Sequence, residues 1–209
     1  MLKSVTPTPR RQACLLILAC TAFCLAACAA PGPQLNSERI EQSFGSYGVE
    51  VLLSGDDDRI SSLFSDDGYG KVTRTFAVVR FSGRISSALA GEHAAVRSGQ
   101  SLGAVFKSAG WDIEKHTVFI GELTLSGKHS IVSDLMQIGL PADLATHVYL
   151  FVVSKGDESY TYATIVELHH PDYLSVDDLQ NIFGEIILDD SNRTGIDDFV
   201  DPAMWKSLE

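Results

Sequence analysis

All four cysteines of this 209-residue chain, Cys14, Cys20, Cys24 and Cys28, fall within its first 28 residues. Nothing after Cys28 can form a disulfide, a thiolate metal site or a cysteine nucleophile. A fold in that stretch must be held by a hydrophobic core alone. Residues 28–209, 182 in number, are enough to bury one, and no linker-like composition divides them. The expectation is one domain over 36–188, preceded by a short tether at 28–35 and followed by an acidic tail at 189–209.

The periodicity of apolar residues says what that domain is built from. Ile40 and Phe44 share a helical face behind a cap at Asn36 or Ser37, with Gly45 as the stop. From Tyr47 the period drops to two, with Tyr47, Val49, Val51 and Leu53 on one side. A short returning strand covers Ile60 to Phe64. Val72 to Phe81 reads as a longer strand whose centre, Phe76-Ala77-Val78-Val79, is apolar on both faces, the mark of a central position. Two helices follow, the second with Leu102, Val105, Phe106 and Ala109 in one stripe. Trp111 to Leu125 alternates again, with Trp111, Ile113, Phe119, Leu123 and Leu125 assigned to one face. A short helix over Ser130–Ile138 precedes a hairpin of Thr146–Val153 and Tyr160–Leu168. Ser175 and Asp178 form a capping box for a last helix. The order is α-β-β-β-α-α-β-α-β-β-α. Short turns between strands imply antiparallel pairing, so the fold class is α+β: a mainly antiparallel sheet of five or six strands with helices packed on one face.

The N-terminus carries an address. Lys3, Arg10 and Arg11 precede an uncharged apolar run from Ala13 to Ala27, about the length of a secretory segment and too short to span a bilayer. The run ends Leu25-Ala26-Ala27-Cys28, which resembles the bacterial lipobox. Cys20 and Cys24 fit that pattern less well: Leu18 is bulky at −2 and the apolar run before Cys20 very short, and Phe23 stands where a small side chain is needed before Cys24. The resemblance implies a signal peptide over 1–27, cleavage before Cys28, and a diacylglycerol on its sulfur with acylation of the new amino group. Ala29, where enteric inner-membrane lipoproteins have aspartate, implies the outer membrane facing the periplasm in a Gram-negative host. A tether of about eight residues would keep the domain within about 30 Å of that membrane.

Charge narrows the partners. With 13 basic and 27 acidic residues after Cys28, the exported part has a formal charge of −14. Such a surface repels nucleic acid and anionic headgroups, so the membrane contact expected is the lipid, with an envelope protein as the other possible partner.

Two clusters could carry chemistry. In Glu167-Leu168-His169-His170-Pro171-Asp172-Tyr173, imidazole stands near carboxylate, as a transition-metal site or an acid–base pair requires. His169, His170 and Asp172 are the candidate ligands. Glu167 and His169 point to one side of a strand and His170 to the other, so the alternative is that they are loop and edge residues, one ring bonding a backbone carbonyl. The segment Asp190–Asp201 resembles a twelve-residue EF-hand calcium loop. Asp190, Asn192, Thr194, Ile196, Asp198 and Asp201 would be the ligands and Gly195 the turn. Asp201 in place of the usual glutamate, Asp197 in place of an apolar residue, and Pro202 depart from that pattern. Asp112, Glu114 and His116 read as the wet side of a strand, and His93 as a packing residue. No Gly-x-Ser-x-Gly elbow, phosphate loop, His-Glu-x-x-His or dinucleotide fingerprint occurs. The leading expectation is a lipid-anchored, non-enzymatic binding or scaffolding domain with no cofactor. The alternatives are an envelope metal-binding domain or hydrolase-type enzyme using His169, His170 and Asp172, and a calcium-stabilised domain using the 190–201 loop.

Overall fold

Every segment with a period of two enters one sheet. A computed structural model describes residues 34–126 and 130–184. Helix α1 (Asn36–Phe44) leads into strands β1 (Gly48–Ser54), β2 (Asp58–Asp66) and β3 (Lys71–Phe81). A 3-10 turn at Ser87–Leu89, helices α2 (Ala90–Arg97) and α3 (Leu102–Ser108), and strand β4 (Asp112–Leu125) follow. Helix α4 (Ser130–Met136), the hairpin β5 (Ala142–Lys155) and β6 (Glu158–His169), and helix α5 (Val176–Phe183) complete it. The elements come in the order that periodicity predicts, and the class is α+β.

The six strands lie in the order β1-β2-β3-β6-β5-β4, each antiparallel to its neighbours. Inserting β6 beside β3 makes these two the central strands. That explains why Phe76 to Val79 is apolar on both faces: Phe76 and Val78 join one core cluster, while Val79 joins another. β6 is hydrogen-bonded on both sides, so His169 at its end, opposite Thr75, belongs to a central strand rather than an edge, whereas His170 lies in the loop that follows, as the loop reading has it.

The two faces carry different layers. Val79, Ile165 and Tyr149, aligned across β3, β6 and β5, pack against Val96 of α2 and Val105 and Phe106 of α3. Helix α5 covers Ile120 and Ala145 on the same face through Leu179, and α1 lies there too, through Asn36. The opposite row of Val78, Val166 and Val148 packs instead against Val132 and Met136 of α4. The one-face expectation therefore holds for four helices and is corrected for α4. Both faces of the central strands are apolar, and each needs a cover.

Two bulges reassign side chains. In β4 the pairing passes from Thr117↔Tyr149 to Phe119↔Val148, leaving Val118 as an extra residue. The insertion reverses the alternation. Trp111 and Ile113 lie in the cluster with α3, whereas Phe119, Leu123 and Leu125 lie in that with α4, so the expectation that all five share a face is overturned. In β6 Tyr162 is the extra residue between Thr161 and Ala163. Its ring turns into the helical layer, 4.7 Å from that of Phe106, and its hydroxyl meets His93 Nδ1 at 2.9 Å. His93 thus packs, as expected, and also bonds Tyr162.

Candidate functional site: a cleft above a buried polar row

Helix α1 begins differently from expectation, and the difference builds the site. No Asn36 or Ser37 side chain caps it. The box is closed from the other side, Leu35 N donating to Glu38 Oε2 at 3.0 Å. Asn36 is instead buried against the sheet, where its Nδ2 donates to Thr75 Oγ1 at 3.1 Å and to Glu167 Oε1 at 3.3 Å. Tyr173 in turn donates its hydroxyl to Asn36 Oδ1 at 2.6 Å.

Glu167 sits at the centre of this row. It is directly across from Ala77 on β3 and His147 on β5. From β4, Lys115 reaches over the ring of Tyr149, its Nζ 4.3 Å from the centroid, to within 3.4 Å of Glu167 Oε2. Both charged side chains are largely buried, 12% and 7% exposed. Burial alone would raise the Glu167 carboxyl. The Lys115 ammonium, the neighbouring His169 and His147 rings and the Tyr149 hydroxyl outweigh it and hold the carboxyl below its ordinary range, at about 2. The same burial, with Glu167 nearby, pushes the Tyr149 phenol well above its usual value.

Two imidazoles flank that carboxylate. His147 Nε2 bonds Thr117 Oγ1 at 3.0 Å, and His169 Nδ1 bonds Thr75 Oγ1 at 3.1 Å. The other nitrogens, His147 Nδ1 and His169 Nε2, are buried with no hydrogen-bond partner among the described residues. A bare lone pair is cheaper to bury than an N–H without an acceptor, so the network assigns each proton to the bonded nitrogen. Burial lowers the pKa of His147 to about 3 and that of His169 to about 4, so both rings are neutral near pH 7. Phe183 lies over His147 at 4.2 Å and Tyr173 meets His169 edge-on at 5.8 Å, which roofs them with α5 and the segment before it.

Beside this row opens a cleft of about 80 Å³. Its floor is the sheet at Arg59, Ser61, Ala77, Ile165 and Glu167, and α1 and α3 contribute its rim through Asn36 and Leu102. Leu35, assigned to the tether by sequence, also lines it. Arg59 is 3% exposed. Its Nε donates to Ser61 Oγ at 2.8 Å, and its Nη1 donates to the carbonyls of Val96 and Gln100, both at 2.8 Å. No carboxylate among the described residues pairs with it.

The sequence-predicted metal set does not converge. His169 faces Thr75 as described. His170 points to the opposite face, its Nε2 donating to the carbonyl of Met136 at 3.0 Å and its Nδ1 accepting from the Asp172 amide at 3.0 Å. Asp172 is exposed. Among the described residues no group of three or more His, Cys, Asp or Glu side chains is placed to hold a metal ion. Asp112, Glu114 and His116 are exposed along β4, His116 Nε2 lying 2.8 Å from Glu114 Oε2. Cys28 and the 190–201 loop lie outside the described residues.

Sequence reasoning missed Arg59, Lys115, His147 and Asn36. A signal for two of them existed. Lys115 is in step with Trp111 and Ile113, and Arg59 with Ser61 and Leu63, so each cation stands on a stripe that turns inward. No known family model, no curated protein and no solved structure matches the chain.

Proposed function

We propose that this chain is an envelope lipoprotein, tethered by lipid on Cys28, whose domain binds a small ligand in the cleft over β2, β3 and β6 and catalyses no reaction. In a Gram-negative host the lipid would place it on the outer membrane facing the periplasm, where an envelope protein could deliver or receive that ligand. The observation that carries the binding reading is Arg59, a buried guanidinium at the floor of the cleft with no carboxylate partner among the described residues. A buried cation is costly unless something compensates it, and such groups gather where ligands bind. The chemistry of the neighbouring row supports binding over catalysis. Lys115 and Glu167 are occupied with each other, and the two histidine rings are roofed by aromatic side chains. Ligand sites are commonly several hundred Å³, so a cleft of about 80 Å³ suits a very small molecule or the end of a larger one.

The test is complementation of a deletion strain. Ala77→Leu fills the floor of the cleft without removing a charged group. Expressed at the wild-type level and still membrane-bound, it is expected to fail as the deletion does. Full complementation by this variant would remove the cleft from the function. Cys28→Ser is expected to lose palmitate labelling and membrane fractionation, and retention of both would overturn the anchor.

A further inference from the structure

We infer that the ligand of the cleft is a short aliphatic monocarboxylate, its carboxylate held by Arg59 and Ser61 and its chain by the apolar walls. This rests on the ligand-binding reading above and names the chemistry it would serve. A guanidinium has five N–H donors. In Arg59 the Nε and Nη1 bonds to Ser61, Val96 and Gln100 account for three of them. The two on Nη2 have no acceptor among the described residues. Ser61 Oγ accepts from Nε, and its own proton is likewise uncommitted. Two N–H groups and an O–H are therefore available on the floor of a cleft, a donor set that suits an oxyanion.

Charge and shape select which oxyanion. The ionisable groups lining the cleft are Arg59, Lys115 and Glu167, with the phenols of Tyr47 and Tyr149. Lys115 and Glu167 neutralise each other at 3.4 Å, which leaves one positive charge. One charge matches a monoanion better than a phosphate dianion. Val49, Leu63, Leu102 and Phe151 form the walls, which favour a hydrocarbon over a second polar group. A cavity of 150 Å³ holds the six heavy atoms of benzene, so about 80 Å³ has room for about three, the carboxylate end of a short chain whose remaining carbons follow the apolar walls toward the opening.

The experiment is ligand-observed NMR and calorimetric titration of the full-length chain in a maltoside detergent, with butanoate, butanamide, 1-butanol and inorganic phosphate as probes. Butanoate is expected to bind at least about tenfold more tightly than butanamide, the difference between a charge-assisted and a neutral hydrogen-bond set. Arg59→Gln is expected to bring butanoate down to the butanamide level. Should that variant fail to fold, the wild-type comparison still decides. Equal binding of butanoate, butanamide and butanol would overturn the carboxylate assignment and leave the ligand-binding reading standing. Tighter binding of phosphate than of butanoate would overturn it as well. If none of the four binds, the assignment falls, and the Ala77→Leu complementation judges the cleft separately.

Discussion

Acidification to pH 5 should strip this domain of much of its stability, and two histidines account for the effect. His147 and His169 are 0% and 1% exposed, and each has one nitrogen without a partner among the described residues. Protonating either ring in the fold would bury a charge and an N–H that no described residue accepts. Their folded pKa values, about 3 and about 4, lie below the 6.5 of the unfolded chain. The unfolded state therefore takes up protons first as the pH falls. The stabilisation from keeping these rings neutral is complete above pH 6.5 and declines below it, by about 1.4 kcal/mol per pH unit for each ring. Over the 1.5 units to pH 5 the two together lose about 4 kcal/mol. Typical domains have about 5–15 kcal/mol in total. His93 and His170, whose pKa values burial also lowers, act in the same direction. The depressed carboxyls of Glu167, Glu38 and Asp178 lose their contribution only below about pH 4.5, outside this window. Urea unfolding at pH 7.5 and pH 5.0 measures the difference, and His147→Gln should reduce the loss by about 2 kcal/mol. A wild-type change of less than about 1 kcal/mol would refute the assignment of these rings as buried and neutral.

Three further outcomes follow from the packing. Lys115→Met alone should cost about 3–5 kcal/mol in urea unfolding, because it strands Glu167 in the interior, whereas Lys115→Met with Glu167→Leu should recover most of that loss. Met136→Ala should cost about 2–5 kcal/mol, since this fully buried side chain seals the face covered by α4; a cost near zero would mean that α4 does not pack there. Ser175→Ala should cost about 1 kcal/mol by thermal unfolding, through loss of the bond from the Asp178 amide to Ser175 Oγ at 3.1 Å, with no change in ligand binding.

The identity and order of the elements were legible in the sequence because they are local properties. An apolar stripe such as Leu102, Val105, Phe106 and Ala109 specifies a helix through the spacing of near neighbours. The Ser175–Asp178 box and the strand character of Phe76 to Val79 are legible for the same reason, and each is found in the fold. The candidate site was not legible, because it consists of contacts between distant residues. Asn36 and Glu167 are 131 positions apart, and Lys115 and Glu167 are 52 apart. Only the placement of β6 between β3 and β5 turns Glu167 from a strand-end carboxylate into the centre of a buried row. The Val118 bulge likewise decides which face each half of β4 serves, and no periodicity announces a single inserted residue. Arg59 shows the division most plainly. Its place in an alternating strand can be read along the chain. That it is buried, bonded to two carbonyls of the segment from Val96 to Gln100 and left with uncommitted donors depends on helices that close over the sheet from elsewhere. Local pattern determines which elements form, and the desolvation that gives a charged side chain its chemistry arises only once those elements are packed.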